Sequence, residues 1–304
     1  MPATAVVAPL PQAPWGVLLA VYFTVVGLPS GLTIAALAHR SLFPATSARL
    51  DWRASWACLI LLGAAGILLT IDLGRPERFF LMLSRFGNWD SPISLGAKII
   101  AVKMFLLVVA LYLRWRHRQK LTGGEFACST QGPVPALGTA RVLDRTTSWS
   151  LVAASVALTV YPVAVLARTW MSPLATTSGS ALIFLITSLI MGAACVQLLQ
   201  VWDPEPSARQ LRTHRQATLA LLLAYVVVVV FTIISVPNGP AKQALESLAT
   251  DEWALVSLGL GIAAGIVVPA GLLACAPHHR GGRIAAAVAM LVGAGSVRYL
   301  IFAA

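Results

Sequence analysis

The chain has 304 residues, with 22 Lys+Arg against 11 Asp+Glu and a formal net charge of +11. Hydrophobic residues make up 58% and charged residues only 11%, whereas a water-facing surface draws on a chain with about 25% charged residues. A soluble protein is therefore excluded. So is a nucleic-acid-binding one, because the basic residues form neither one face nor one dense run.

A membrane-crossing helix needs about 20 mostly apolar residues. In chain order the sequence predicts eight: Trp15–Ala38, Ala54–Ile71, Ile93–Leu113, Trp149–Trp170, Ser180–Val201, Ala217–Val236, Trp253–Cys275 and Arg283–Ala304. Polar or Pro/Gly-rich stretches separate them, among them 44–53, 123–138 and 236–240. The Val226–Val230 run reads as helix, since backbone groups in lipid must be satisfied within the segment. The expected fold class is an all-α integral membrane protein with eight transmembrane helices. Ala36-Leu37-Ala38 resembles a signal-peptidase site. No Lys or Arg precedes the first span, however, and that span is too long for a signal peptide's apolar region, so a retained helix is expected.

The positive-inside rule sets the topology. Arg75, Arg78, Arg85, Arg168, Lys242 and Arg298 fall on one side. Arg40, Arg49, Arg53, Arg114, Arg116, Arg118, Lys120, Arg141, Arg145, Arg209, Arg212, Arg215, Arg280 and Arg283 fall on the other. The richer side is expected to be cytoplasmic, which puts both termini outside. Trp15, Trp89, Trp149, Trp170, Trp202 and Trp253 lie near span ends, as interfacial anchors do.

Metal and redox chemistry finds little purchase. Cys58, Cys128, Cys195 and Cys275 are scattered without a C-x-x-C, so no iron–sulfur or zinc site is expected. His39, His117, His214, His278 and His279 lie at span ends or in loops on the Arg-rich side, so no haem is expected either. There is no phosphate loop and no nucleophile elbow.

Ionisable groups at membrane depth are costly and usually have a task. Lys98 and Lys103 fall within the third span. Lys98 has the reach to snorkel outward, whereas Lys103 should sit near mid-membrane, as a fold-specifying contact or as part of a proton path or quinone site. Gln197 and Gln200 are expected to hydrogen-bond between helices, and the pairs Gly27/Gly31 and Gly261/Gly265 to form packing faces. Asp72-Leu73-Gly74-Arg75-Pro76-Glu77-Arg78-Phe79-Phe80 concentrates charge where the chain leaves the bilayer. It reads either as an ion-paired loop folded on the helices or as a polar lid over a cavity at lipid depth.

Asp-Leu-Gly-Arg-Pro followed by Arg-Phe after a second helix resembles the signature of the polysulfide reductase (NrfD-type) membrane-subunit family. Three further stretches are similar to that family: Tyr22 to Gly31 in the first helix, Ser91-Pro92-Ile93-Ser94-Leu95-Gly96 at the start of the third, and Tyr161 with Trp170-Met171-Ser172-Pro173 at the fourth. The resemblance covers roughly residues 15–200. The related dimethyl-sulfoxide-reductase anchors share Leu-Gly-Arg-Pro but typically have His at the place of Asp72, which favours the NrfD type.

The resemblance implies an anchor for a molybdopterin catalytic subunit and an iron–sulfur electron-transfer subunit. Such an anchor exchanges electrons with menaquinone or ubiquinone and holds no haem, cluster or metal itself. It also implies two four-helix bundles, 15–170 with the quinone site and 180–304, in a bacterial inner membrane. Carried over residue by residue, the quinone site comprises Tyr22, Asp72, Arg75, Arg78, Tyr161 and Trp170; with the lysines read at membrane depth, the expected proton path is Asp72, Lys98 and Lys103. Tyr22 stands where some members have His. At 1.5 Å per residue Tyr22 and Tyr161 lie roughly 10–14 Å below the outer surface, with Asp72 above them. Two other classes compete. A secondary transporter fits the buried lysines and the prolines Pro162, Pro173, Pro237 and Pro269, although no inverted repeat is visible. A purely structural anchor would never touch quinone.

Overall fold

The structure, a computed structural model, describes residues 17–44, 47–72, 92–122, 136–169, 174, 177, 179–202, 206–236, 238–250, 255–275 and 279–303. Its helices are α1 (Val17–Leu42), α2 (Ala48–Asp72), α3 (Pro92–Thr122), α4 (Ala136–Thr169), α5 (Ser180–Val201), α6 (Ala208–Ser235), α7 (Pro240–Thr250), α8 (Leu255–Val267), α9 (Val268–Cys275) and α10 (Arg280–Ala303). No strand occurs among the described residues. Seven of the helices are long and apolar enough to cross a membrane: α1 to α6, and α10.

The seventh expected span, Trp253–Cys275, takes a different form. It is split into α8, which has π-helical winding, and α9, and its apolar helical part, Gly259–Cys275, is shorter than the others. Residues 251–254 lie outside the described residues.

Several helices run further than the apolar segments that predict them. α3 continues through the Arg-rich stretch to Thr122, and α4 starts at Ala136, thirteen residues before Trp149. Hydropathy marks where a helix meets oil, not where its hydrogen bonds stop. Polar cues set some of the ends. At the start of α6 the Ser207 hydroxyl accepts from the Gln210 amide (3.3 Å) while the Gln210 side chain accepts from the Ser207 amide (3.0 Å), a reciprocal cap.

α1 packs on α2 and α4, α2 on α3, and α3 on α4. α10 packs on α5, α8 and α9, and α5 on α6. α1 and α5 join these two groups. Their crossing is close because Gly31 and Gly192 meet there, and a Cβ on Gly31 would overlap the Ser188 carbonyl. The Gly27/Gly31 pair is thus a packing face, as the spacing predicts. On the far side of α6, Val227, Val230, Phe231, Ile233 and Ile234 are exposed. That apolar band would be untenable in water but is at ease in lipid. Trp149 and Trp202 are also exposed, at 64% and 77%, as interfacial anchors should be.

Candidate functional site

An aromatic cluster sits near the start of α1. Tyr22 and Phe23 are buried, with ring centroids 5.1 Å apart, and Phe23 lies 6.1 Å from the ring of Tyr161 on α4. Tyr161 is seated by α3, where a Cβ on Gly96 would run into its ring and hydroxyl. The two tyrosines are close enough to interact electrostatically. The Tyr22 hydroxyl is buried and has no hydrogen-bond partner among the described residues. Such an orphaned group costs about 1–3 kcal/mol, so an acceptor arriving from outside the chain would be welcome there.

The structure thus brings together two of the six residues singled out for the quinone site, from helices 139 positions apart in sequence. Asp72 is the last residue of α2. Arg75, Arg78 and Trp170 lie outside the described residues.

Both membrane lysines are inside the protein. Lys103 is fully buried, and its Nζ donates to the Ser30 hydroxyl at 3.1 Å. Cys58 stands nearby, its Sγ 3.4 Å from both the Thr33 hydroxyl and the Pro29 carbonyl. Pro29 lacks the amide that would continue the α1 ladder, and Thr33 and Cys58 gather on its carbonyl. Lys98, expected to be able to reach outward, is instead 3% exposed. Its position on α3 turns it toward the other helices rather than along the lipid face.

Sequence reasoning missed a second fully buried cation. Arg298, assigned from hydropathy to an outer end of the last span, has 0% exposure. Its Nε donates to the Thr187 hydroxyl (3.0 Å) and its Nη1 to the Phe23 carbonyl (3.0 Å). Its Nη2 donates to the Phe184 carbonyl (2.6 Å) and the Ser188 hydroxyl. The guanidinium also lies over the Phe184 ring, 4.9 Å from its centroid. One side chain thereby ties α10 to α1 and α5, and it grips the backbone of Phe23 within the aromatic cluster. A lone Arg six residues from the end of the sequence gave little sign of this, since a snorkelling Arg looks the same.

A second polar cluster, also unforeseen, closes the Arg-rich ends of α1 to α4. Arg40 pairs with both Asp144 oxygens and its Nε lies 3.5 Å from Asp51. Arg114 donates to the Asp51 carbonyl at 3.0 Å and to the Ser55 hydroxyl. The pairing of two arginines with two of only 11 acids was the available signal. As expected, Gln197 bonds between helices, donating to the Arg283 carbonyl at 2.8 Å.

Long apolar helices enclosing ion pairs, a buried lysine and a fully bonded arginine define a multi-pass membrane protein with a polar interior. Such an interior is one in which charged groups are kept for a task. The chain matches the family described as Polysulphide reductase, NrfD, over residues 6–304, and it belongs to that family. No curated protein matches the chain in sequence. Members of the family are membrane anchor subunits of polysulfide reductase-type molybdoenzyme complexes.

Proposed function

We propose that the chain passes electrons between the membrane quinone pool and an iron–sulfur subunit that serves a molybdopterin catalytic subunit. The quinone, menaquinone or ubiquinone, is a substrate. Its headgroup is held among Tyr22, Asp72, Arg75, Arg78, Tyr161 and Trp170, and the chain itself carries no haem, cluster or metal. The observation that carries this reading is the buried Tyr22 hydroxyl without a partner, set among aromatic rings. A quinone offers what that site lacks: a flat ring to lie against aromatics and a carbonyl to accept from the phenol.

Quinone reduction takes up two protons with two electrons. Asp72 is the titratable group nearest the membrane boundary, and Lys98 and Lys103 continue a polar route inward along α3. In this reading α8 and α9 together make an eighth crossing, both termini lie on the periplasmic side of a bacterial inner membrane, and Tyr22, Asp72 and Tyr161 are near that face. The partner subunits dock there. The contacts among α1 to α4, and those linking α5, α6, α8, α9 and α10, support two bundles joined by α1 and α5, with the quinone in the first.

Affinity purification through a tag on this chain tests the assignment. An iron–sulfur protein and a molybdopterin protein should co-purify in fixed ratio, and the complex should couple quinol oxidation or quinone reduction to its catalytic subunit. A chain that purifies alone from its native membrane, with no quinone-linked activity in the membrane lost on its deletion, would contradict it.

A further inference from the structure

On the Arg-rich face, well away from the aromatic cluster, a groove of about 160 Å³ opens between α1, α5 and α6. Its walls are mainly apolar, from Ala38 and Leu42, Leu189 and Val196, and Leu221, with His39 and His214 among its few polar residues. An apolar cavity of this size takes a hydrocarbon guest rather than water. Tyr22 and His39 are seventeen residues apart on α1, about 25 Å along the helix, so this groove is separate from the quinone site and independent of that reading.

What stands beside the groove is unusual. His214 hydrogen-bonds to the Ala193 backbone, and its Nε2 atom is buried without a hydrogen-bond partner among the described residues. Arg283, on the first turn of α10, is within electrostatic reach of His214. It is 9% exposed, and its Nε and Nη1 atoms are also buried and unpartnered. Arg215, next to His214 on α6, has a third unpartnered guanidinium atom, Nε. Arg280 is close to Arg283 and donates to the Val201 carbonyl. No described carboxylate is paired with Arg215, Arg280, Arg283 or His214. Buried guanidinium donors left open carry a full desolvation cost. Among the described residues no anion stands in this cluster, and His214 sets it against an apolar groove where helix ends meet the membrane surface.

We propose that this is a binding site for an anionic phospholipid. The headgroup phosphate takes the open donors of Arg283, with Arg215 and His214 beside it, and an acyl chain lies in the groove between α1, α5 and α6. Planar guanidinium suits phosphate, and basic pockets between membrane helices are where such headgroups are held. The lipid would bridge α1, which belongs to one group of helices, to α6 and α10 of the other.

The test uses the full chain, or its complex, delipidated in detergent and titrated with mixed micelles containing phosphatidylglycerol, phosphatidylcholine or inorganic phosphate. Phosphatidylglycerol should raise the unfolding temperature, while phosphatidylcholine and inorganic phosphate should not. Arg283→Gln should weaken phosphatidylglycerol binding about fivefold, the value of one lost surface cation. Arg209→Gln, on an exposed position of α6, should not. Ala217→Phe fills the groove without altering charge and should weaken the same binding, which keeps the test decisive if Arg283→Gln fails to fold. Equal stabilisation by phosphatidylcholine, or full binding to both Arg283→Gln and Ala217→Phe, overturns the proposal. Stabilisation by inorganic phosphate alone also overturns it, in favour of a soluble anion.

Discussion

The guanidinium of Arg298 occupies the space that a side chain on Gly27 would need: a Cβ there would overlap Nη1, Cζ and Nη2. The small residue on α1 and the large one on α10 form a single fitting. It joins the first and last crossing helices at the level of the aromatic cluster, because the same guanidinium donates to the Phe23 carbonyl.

Arg298→Leu should therefore destabilise the protein by about 3 kcal/mol or more, since several charge-assisted hydrogen bonds are lost and their acceptors stay buried. Gly27→Ala should cost about 1–3 kcal/mol through overpacking. The two changes should be non-additive, because the leucine no longer extends a guanidinium toward residue 27. Denaturant or thermal unfolding of the purified subunit in detergent checks all three values, and simple additivity would show that the two residues act separately.

Asp51 is buried between Arg40 and Arg114 at the Arg-rich ends of the first four helices. Asp51→Ala strips a partner from Arg40 and leaves two cations close together. It should cost about 1–2 kcal/mol, since Arg40 is partly exposed and keeps Asp144 as a partner. The yield of folded protein and its melting temperature in detergent report this. Quinone-linked turnover per folded molecule should stay near that of the wild type, as the cluster lies on the face opposite the aromatic site.

Asp72→Asn keeps the size of the side chain and removes its proton chemistry. In an assembled complex it should lower quinone-linked turnover about a hundredfold or more, the usual scale for a lost general acid or base. Activity with an artificial dye donor should be retained. Normal quinone turnover in the variant would remove Asp72 from the mechanism and shift attention to Lys98 and Tyr161.

Much of the fold was legible in the sequence, since lipid imposes one demand on every segment. Backbone groups must bond internally, so Ser180–Val201 is found to the residue. The edges of α3 and α4 were less legible, because polar helix beyond the bilayer carries no hydropathy signal. The amphipathic α7 was passed over for the same reason. In the candidate site, Tyr22 and Tyr161 came from motif resemblance, and their convergence rests on the pairing of α1 with α4. Arg298 stayed hidden because its partners are backbone carbonyls and hydroxyls, which leave no charge pattern to read. The clusters at Asp51 and Arg283 stayed hidden because cations at helix ends are what the positive-inside rule leads one to expect.

The account stands most directly on the Tyr22 hydroxyl. Tyr22→Phe removes one buried oxygen that has no hydrogen-bond partner among the described residues, so the fold should be as stable as before, or more so. Quinone-linked turnover of the assembled complex should show a KM for quinone raised about threefold to tenfold, the worth of one hydrogen bond, with dye-linked activity unchanged. Gly96→Ala, which displaces the ring and hydroxyl of Tyr161 from their seat, should raise the same KM without removing any polar group. An unchanged quinone KM in a stable, assembled Tyr22→Phe complex would contradict the placement of the quinone at this cluster.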